Sequence, residues 1–154
     1  MNDLKNSIEK YFEACENVKK RRETWNEQTK TSIKKTLEEI KETYKLDAQV
    51  QSFSSGKNIG AVNLSLNNQH SGIVQENEKS MKAFVKDPGY LVFTQSYNGL
   101  IHVIVSLPSI DGIVEKQSGV LLATIEPSEC TIDVINKYVV DFFEKITTWE
   151  RGTE

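Results

Sequence analysis

The sequence predicts an α+β domain: a long N-terminal helix, an antiparallel meander of five to six strands, and a C-terminal helix packed on the sheet. Three observations carry this expectation. The first 45 residues hold no Gly and no Pro and repeat apolar side chains at helical spacing. From Asp47 the apolar period changes from helical to alternating. After Pro127 a helical stripe returns and runs to Trp149.

In the first helix, Leu4, Ile8, Tyr11, Cys15, Val18, Arg22, Trp25 and Thr29 alternate spacings of four and three, a heptad seam. After Thr29 the phase slips, and the stripe resumes at Ile33, Leu37, Ile40 and Tyr44. A straight helix over residues 2–45 would be roughly 65 Å long. A compact chain of this length is only about 40 Å across. Such a helix must break, fold back or pair with something else. Thr24-Trp25-Asn26-Glu27 fits a capping box, as does Thr36-Leu37-Glu38-Glu39, and Thr29 to Ser32 are poor helix formers apart from Lys30. A kink or hairpin between Thr24 and Ser32 and an unbroken helix both fit this pattern.

The strands follow from alternation. Val50, Ser52 and Ser54 oppose Gln51 and Phe53 in a short strand, and Gly56 to Gly60 forms a turn. Val62, Leu64 and Leu66 alternate with Ala61, Asn63 and Ser65, giving one buried face. Asn67 to Gly72 reads as a polar loop and Ser80 to Lys86 as a further strand. Asp87-Pro88-Gly89-Tyr90 suits a type II turn, with Gly supplying φ > 0. Tyr90–Tyr97 and Leu100–Leu107 flank Asn98-Gly99, the type I′ pair of a two-residue hairpin loop. That loop sets Tyr97 opposite Leu100 and Gln95 opposite His102. Both faces of this hairpin are then largely apolar, and each needs cover from a helix or a partner subunit. Ser109 to Gly119 is a loop with a turn at Asp111-Gly112, and Val120 to Ile125 is the last strand. The final helix spans about Thr131 to Trp149, with Ile132, Ile135, Tyr138, Val139, Phe142, Phe143 and Ile146 on a wide core-facing stripe.

Length 154 fits a single domain over 1–154, with 1–46 as a helical oligomerisation segment and 47–154 as the sheet-plus-helix body. Net charge is −3, divided as +2 on residues 1–46 and −5 on the remainder. The acidic body repels phosphate, which makes nucleic acid an unfavoured partner. Two cysteines make no disulfide framework, the N-terminus holds no secretory leader pattern, and no run reaches the ~20 apolar residues of a membrane span. The expectation is a soluble cytoplasmic protein with no membrane contact.

No motif assigns a catalytic residue, a cofactor-binding residue or a metal ligand. Cys130 sits at a helix start, where a dipole stabilises a thiolate, yet it has no partnered base in any motif and reads as a semi-buried thiol. Lys19-Lys20-Arg21-Arg22 is the one basic run, but consecutive helical residues spread round the axis and read as a solvated face. His70 reads as a loop residue. Tyr90, Gln95, Tyr97 and His102 are candidate lining residues for a pocket between sheet and helix.

The leading reading is a non-enzymatic interaction module of adaptor, regulator, immunity or inhibitor type. It self-associates, most simply as a homodimer, through Ile8, Tyr11, Cys15, Val18, Arg22 and Trp25, with Trp25 as an interface anchor, and an unidentified protein is its further partner. No cofactor is implied. The alternative is a small-molecule-binding domain or small enzyme built on the four pocket residues.

Overall fold

The computed structural model describes residues 2–55 and 59–152, and the centre of the expected Gly56–Gly60 turn lies outside them. Helix α1 (Asn2–Thr24) passes through one π-helical turn (Trp25–Thr29) into α2 (Lys30–Tyr44). Eight strands follow: β1 (Ala48–Ser55), β2 (Ile59–Leu66), β3 (Gln69–Glu76), β4 (Met81–Asp87), β5 (Tyr90–Gln95), β6 (Ile101–Ser106), β7 (Ser109–Ile110) and β8 (Val120–Ile125). A 3₁₀ turn at Pro127–Glu129 leads to α3 (Ile132–Arg151).

The order of helix, antiparallel strands and helix is the expected one. Among the described residues the strands number eight and form two sheets, β1-β2-β5-β6-β8 and β3-β4-β7. The additional strands come from segments read as loops. Gln69 to Gly72 is the start of β3, whose ladder with β4 is interrupted by a register shift between His70 and Val74. Its side chains are largely exposed, so they lack the apolar alternation that marks a half-buried strand.

The first helix neither stops nor turns back. Between Trp25 and Thr29 the backbone widens, with the Lys30 N–H donating to the Trp25 carbonyl five residues earlier. One extra residue is thereby absorbed without breaking the axis. This is the physical origin of the phase slip after Thr29. The helix ends at Lys45, in the left-handed region (φ 52°).

Both α2 and α3 lie on the inner face of the larger sheet. Ile33 and Leu37 of α2 meet Val62, Leu64, Leu91, Phe93, Val103 and Val105, and α3 adds Ile135, Phe142 and Ile146, in one continuous core. Phe93 and Tyr138 touch edge to face, 6.3 Å between centroids. The Thr131 hydroxyl caps α3 by accepting from the Val134 N–H at 3.3 Å, and Gly152 closes it at φ 71°. The outer face carries half-exposed Tyr90, Val92 and Ile104 and is flanked by exposed Phe53 and Leu121.

The β5–β6 register differs by one residue from the expected one. Thr94 pairs with His102, and Gln95 pairs with Ile101. The loop has three residues, Tyr97-Asn98-Gly99. The Gly99 N–H donates to Ser96 O and the Ser96 N–H to Leu100 O, and Gly99 alone takes a positive φ, 83°. Asn98 turns its side chain inward instead, its Oδ1 accepting from the Leu100 N–H and the Ser96 hydroxyl. A one-residue slip exchanges faces. It sets Leu91 and Phe93 beside Val103 and Val105 on the inner face, and Tyr90 and Val92 beside Ile104 outside.

The smaller sheet is tied to α3 through Lys86. Its ammonium pairs with Glu150 and lies 5.5 Å from the Trp149 ring centroid. Burial lowers its pKa from the ordinary lysine value.

Candidate functional site

The feature that the core does not explain is α1. None of the described residues 2–24 is buried. Leu4, Ile8, Tyr11 and Phe12 are 62%, 45%, 64% and 65% exposed, and Cys15 is exposed beside them. Four large apolar side chains on one solvated helix are costly to keep in water. The helix forms there without tertiary support because residues 2–24 contain no Gly or Pro, and Lys5–Glu9 and Lys19–Glu16 add spaced charge pairs at 4.0 Å. The side chain of Cys15, one turn on, pushes the Tyr11 pKa up.

The other end of α1 is clamped to the body. The Arg21 Nε and Nη2 donate to both carboxylate oxygens of Glu126 at 2.8–3.0 Å, and its Nη1 donates to Asn98 O at 3.3 Å. The guanidinium pKa is raised by that hydrogen bonding. The Arg22 Nη2 donates to Tyr97 O at 2.6 Å. Val18 is half-buried beside Gly99, and Trp25 is 1% exposed within the core. Gly60 makes room for that indole, since a Cβ there would lie 2.8 Å from Trp25 Nε1. The predicted seam is therefore divided. Ile8, Tyr11 and Cys15 face solvent. Val18, Arg22 and Trp25 serve the attachment of α1 to its own body, so Trp25 is an internal anchor rather than an exposed one.

The four pocket candidates are not brought together. Gln95 points to the inner face, is 2% exposed, and its amide finds no hydrogen-bond partner among the described residues. Tyr90 and His102 are half-buried at outer-face register positions, and Tyr97 is 79% exposed on the loop. The sheet thus separates Gln95 from Tyr90 and His102, and Tyr97 stands apart on the loop. An open groove of about 1180 Å³ lies elsewhere, between α2 and α3, with Ile40, Tyr44, Ile132, Val140 and Phe143 on its walls. Sequence reasoning placed Ile40 and Tyr44 on the stripe of the first helix and Ile132 and Phe143 on that of the last, and did not single out Val140. The signal for the groove is the width of those stripes, wider than one packed face occupies.

Cys130 is 6% exposed, and burial pushes its thiol pKa up to about 12. It holds its proton at neutral pH, where a thiol is a weak nucleophile. His70 Nδ1 accepts from the Gly72 N–H at 2.8 Å. Among the described residues no three His, Cys, Asp or Glu side chains gather as a metal site, and no helix is long and apolar enough to cross a membrane. In the basic run, Arg21 and Arg22 are held by Glu126 and by loop carbonyls. Comparison with family models, with curated proteins and with solved structures found no match to this chain.

Proposed function

We propose that this protein is an interaction module that self-associates through the exposed stripe of α1, with the sheet and its two helices as a rigid body. The observation supporting this is the exposure of Leu4, Ile8, Tyr11 and Phe12 on a helix whose far end is clamped by Arg21 and Arg22. A clamped root presents the stripe in a fixed direction, which reduces the ordering cost of association. The interacting set is Ile8, Tyr11 and Cys15 with Leu4 and Phe12 added. Cytoplasmic location and an adaptor, regulatory, immunity or inhibitor role accompany this reading as part of the proposal.

Absolute mass by light scattering on a sizing column, across a wide concentration range, tests it. A dimer that dissociates on dilution is expected, and Ile8→Asp should abolish it. Ile8 is 45% exposed, so the substitution leaves the monomer's core intact. A monomer at every concentration overturns the reading.

A further inference from the structure

The geometry points to an antiparallel pairing of α1 with α1 of a second copy, in which Leu4 of each chain faces Cys15 of the other and Ile8 faces Tyr11. This rests on the self-association proposed above and names its partner and direction.

The direction follows from what occupies the seam. Leu4, Ile8, Tyr11, Cys15, Val18, Arg22 and Trp25 lie along one stripe of a continuous helix. From Val18 onward that stripe is filled by the chain's own β5–β6 loop and core. A Cβ on Gly99 would meet Val18 O at 3.2 Å, Arg22 bonds Tyr97 O, and Trp25 is buried. A parallel partner would have to face Val18, Arg22 and Trp25 with its own copies of those residues. Both bodies would then compete for one side of the helix pair at the same end. An antiparallel partner needs only residues 2–15, and the two bodies fall at opposite ends.

The spacing of the free stripe suits this order. Positions 4, 8, 11 and 15 read the same way from either end in steps of four, three and four. A two-fold axis midway between Ile8 and Tyr11 therefore places every seam residue against another seam residue. The reversed order sets Glu9 of each chain level with Lys10 of the other, and Asp3 level with Glu16, with Lys19 about one turn further on. A parallel pair would set Lys19 and Lys20 against their own copies. Opposed helix dipoles favour the same direction.

The contact is small. Tyr11 and Phe12, each able to bury on the order of 150–250 Å², are its largest members. A standard interface needs about 800 Å² per partner. The pair therefore exchanges with monomer.

The test is oxidation of Leu4→Cys protein by diamide, read on a non-reducing gel. Two thiols lose their hydrogens to the diazene, which becomes the hydrazine, and one S–S bond forms. The variant should give a covalent dimer. Cys15→Ser added to Leu4→Cys should remove it. The native chain should give at least tenfold less, because its two Cys15 residues would be about 16 Å apart along the axis. Cys130 is buried and stays out of the reaction. Efficient crosslinking of the native chain, or of the Cys15→Ser, Leu4→Cys protein, would show parallel helices and overturn the pairing. So would no crosslink in a protein whose light-scattering dimer is lost with Ile8→Asp, which leaves self-association standing. A monomer at every concentration sinks both.

Discussion

Gly99 lies directly under Arg21: a Cβ built on Gly99 would come 2.6 Å from the Cβ of Arg21 and 3.2 Å from the Val18 carbonyl. The approach is possible because Gly99 closes the β5–β6 loop at φ 83°, a conformation that other residues adopt at a cost. One glycine thus shapes the hairpin loop and seats the root of α1.

Gly99→Ala therefore meets two penalties, backbone strain and a displaced helix. We expect a loss of about 1–3 kcal/mol in urea unfolding. Arg21→Ala, which removes the Glu126 pair but no packing at Gly99, should cost about 1 kcal/mol or less, since the pair is partly exposed. Equal losses for the two variants would show that the close approach is not what holds α1.

Trp25 and Ile8 share one seam but should answer differently to substitution. Trp25→Ala empties a core site that is 1% exposed and should cost about 3–5 kcal/mol. Ile8→Asp should leave the unfolding midpoint of dilute, monomeric protein within about 0.5 kcal/mol. Comparable destabilisation by both would mean that α1 packs on its own body along its whole length.

Gln95 is buried, and among the described residues its amide finds no hydrogen-bond partner. Removing both polar atoms relieves a desolvation cost. Gln95→Met, similar in volume, should raise stability by about 1 kcal/mol in chemical denaturation. A marked drop would show that the amide has a partner in solution, such as a bound water.

Cys130 gives the protein an alkaline liability. Its thiol holds a proton up to about pH 12 in the folded chain, whereas the unfolded thiol loses it near pH 8.5. Above that pH the folded state binds the extra proton, so stability falls as pH rises, by on the order of 1 kcal/mol per unit. Burial raises the Tyr138 pKa and acts in the same sense. Desolvated Lys86, with its lowered pKa, acts in the opposite sense. Cys130→Ala should flatten the decline between pH 9 and 11 in paired thermal melts. Parallel curves for the two proteins would refute the assignment.

Much of the fold was legible because helices and half-buried strands announce themselves by period. The alternation of Val62 and Leu64 against Asn63 and Ser65, and the stripe from Ile135 to Ile146, read directly onto buried faces. The hairpin was located correctly and registered wrongly. Asn98-Gly99 favours a two-residue loop locally, but the observed loop buries Phe93 and Val103 together and satisfies Asn98 within the loop. Tertiary burial outweighed the dipeptide preference. Strand β3 escaped notice because its side chains have no buried face to pattern. On α1 the spacing alone could not show where the seam leaves solvent. Val18, Arg22 and Trp25 continue the same period as Ile8 and Tyr11, and only the three-dimensional placement of Gly99 and Glu126 divides them.

The π turn at Trp25–Thr29 accommodates one more residue than an α-helix would. Each residue of a helix corresponds to about 100° of rotation. The width of this buried turn therefore acts as an angular setting for everything N-terminal to it. Tightening the same five residues into ordinary α-helix would keep the exposed side chains of α1 unaltered in kind and swing them by up to about a third of a circle around the axis, whereas removing one residue as well would restore their direction. The direction in which the stripe of α1 points is thus set inside the core, remote from the stripe itself.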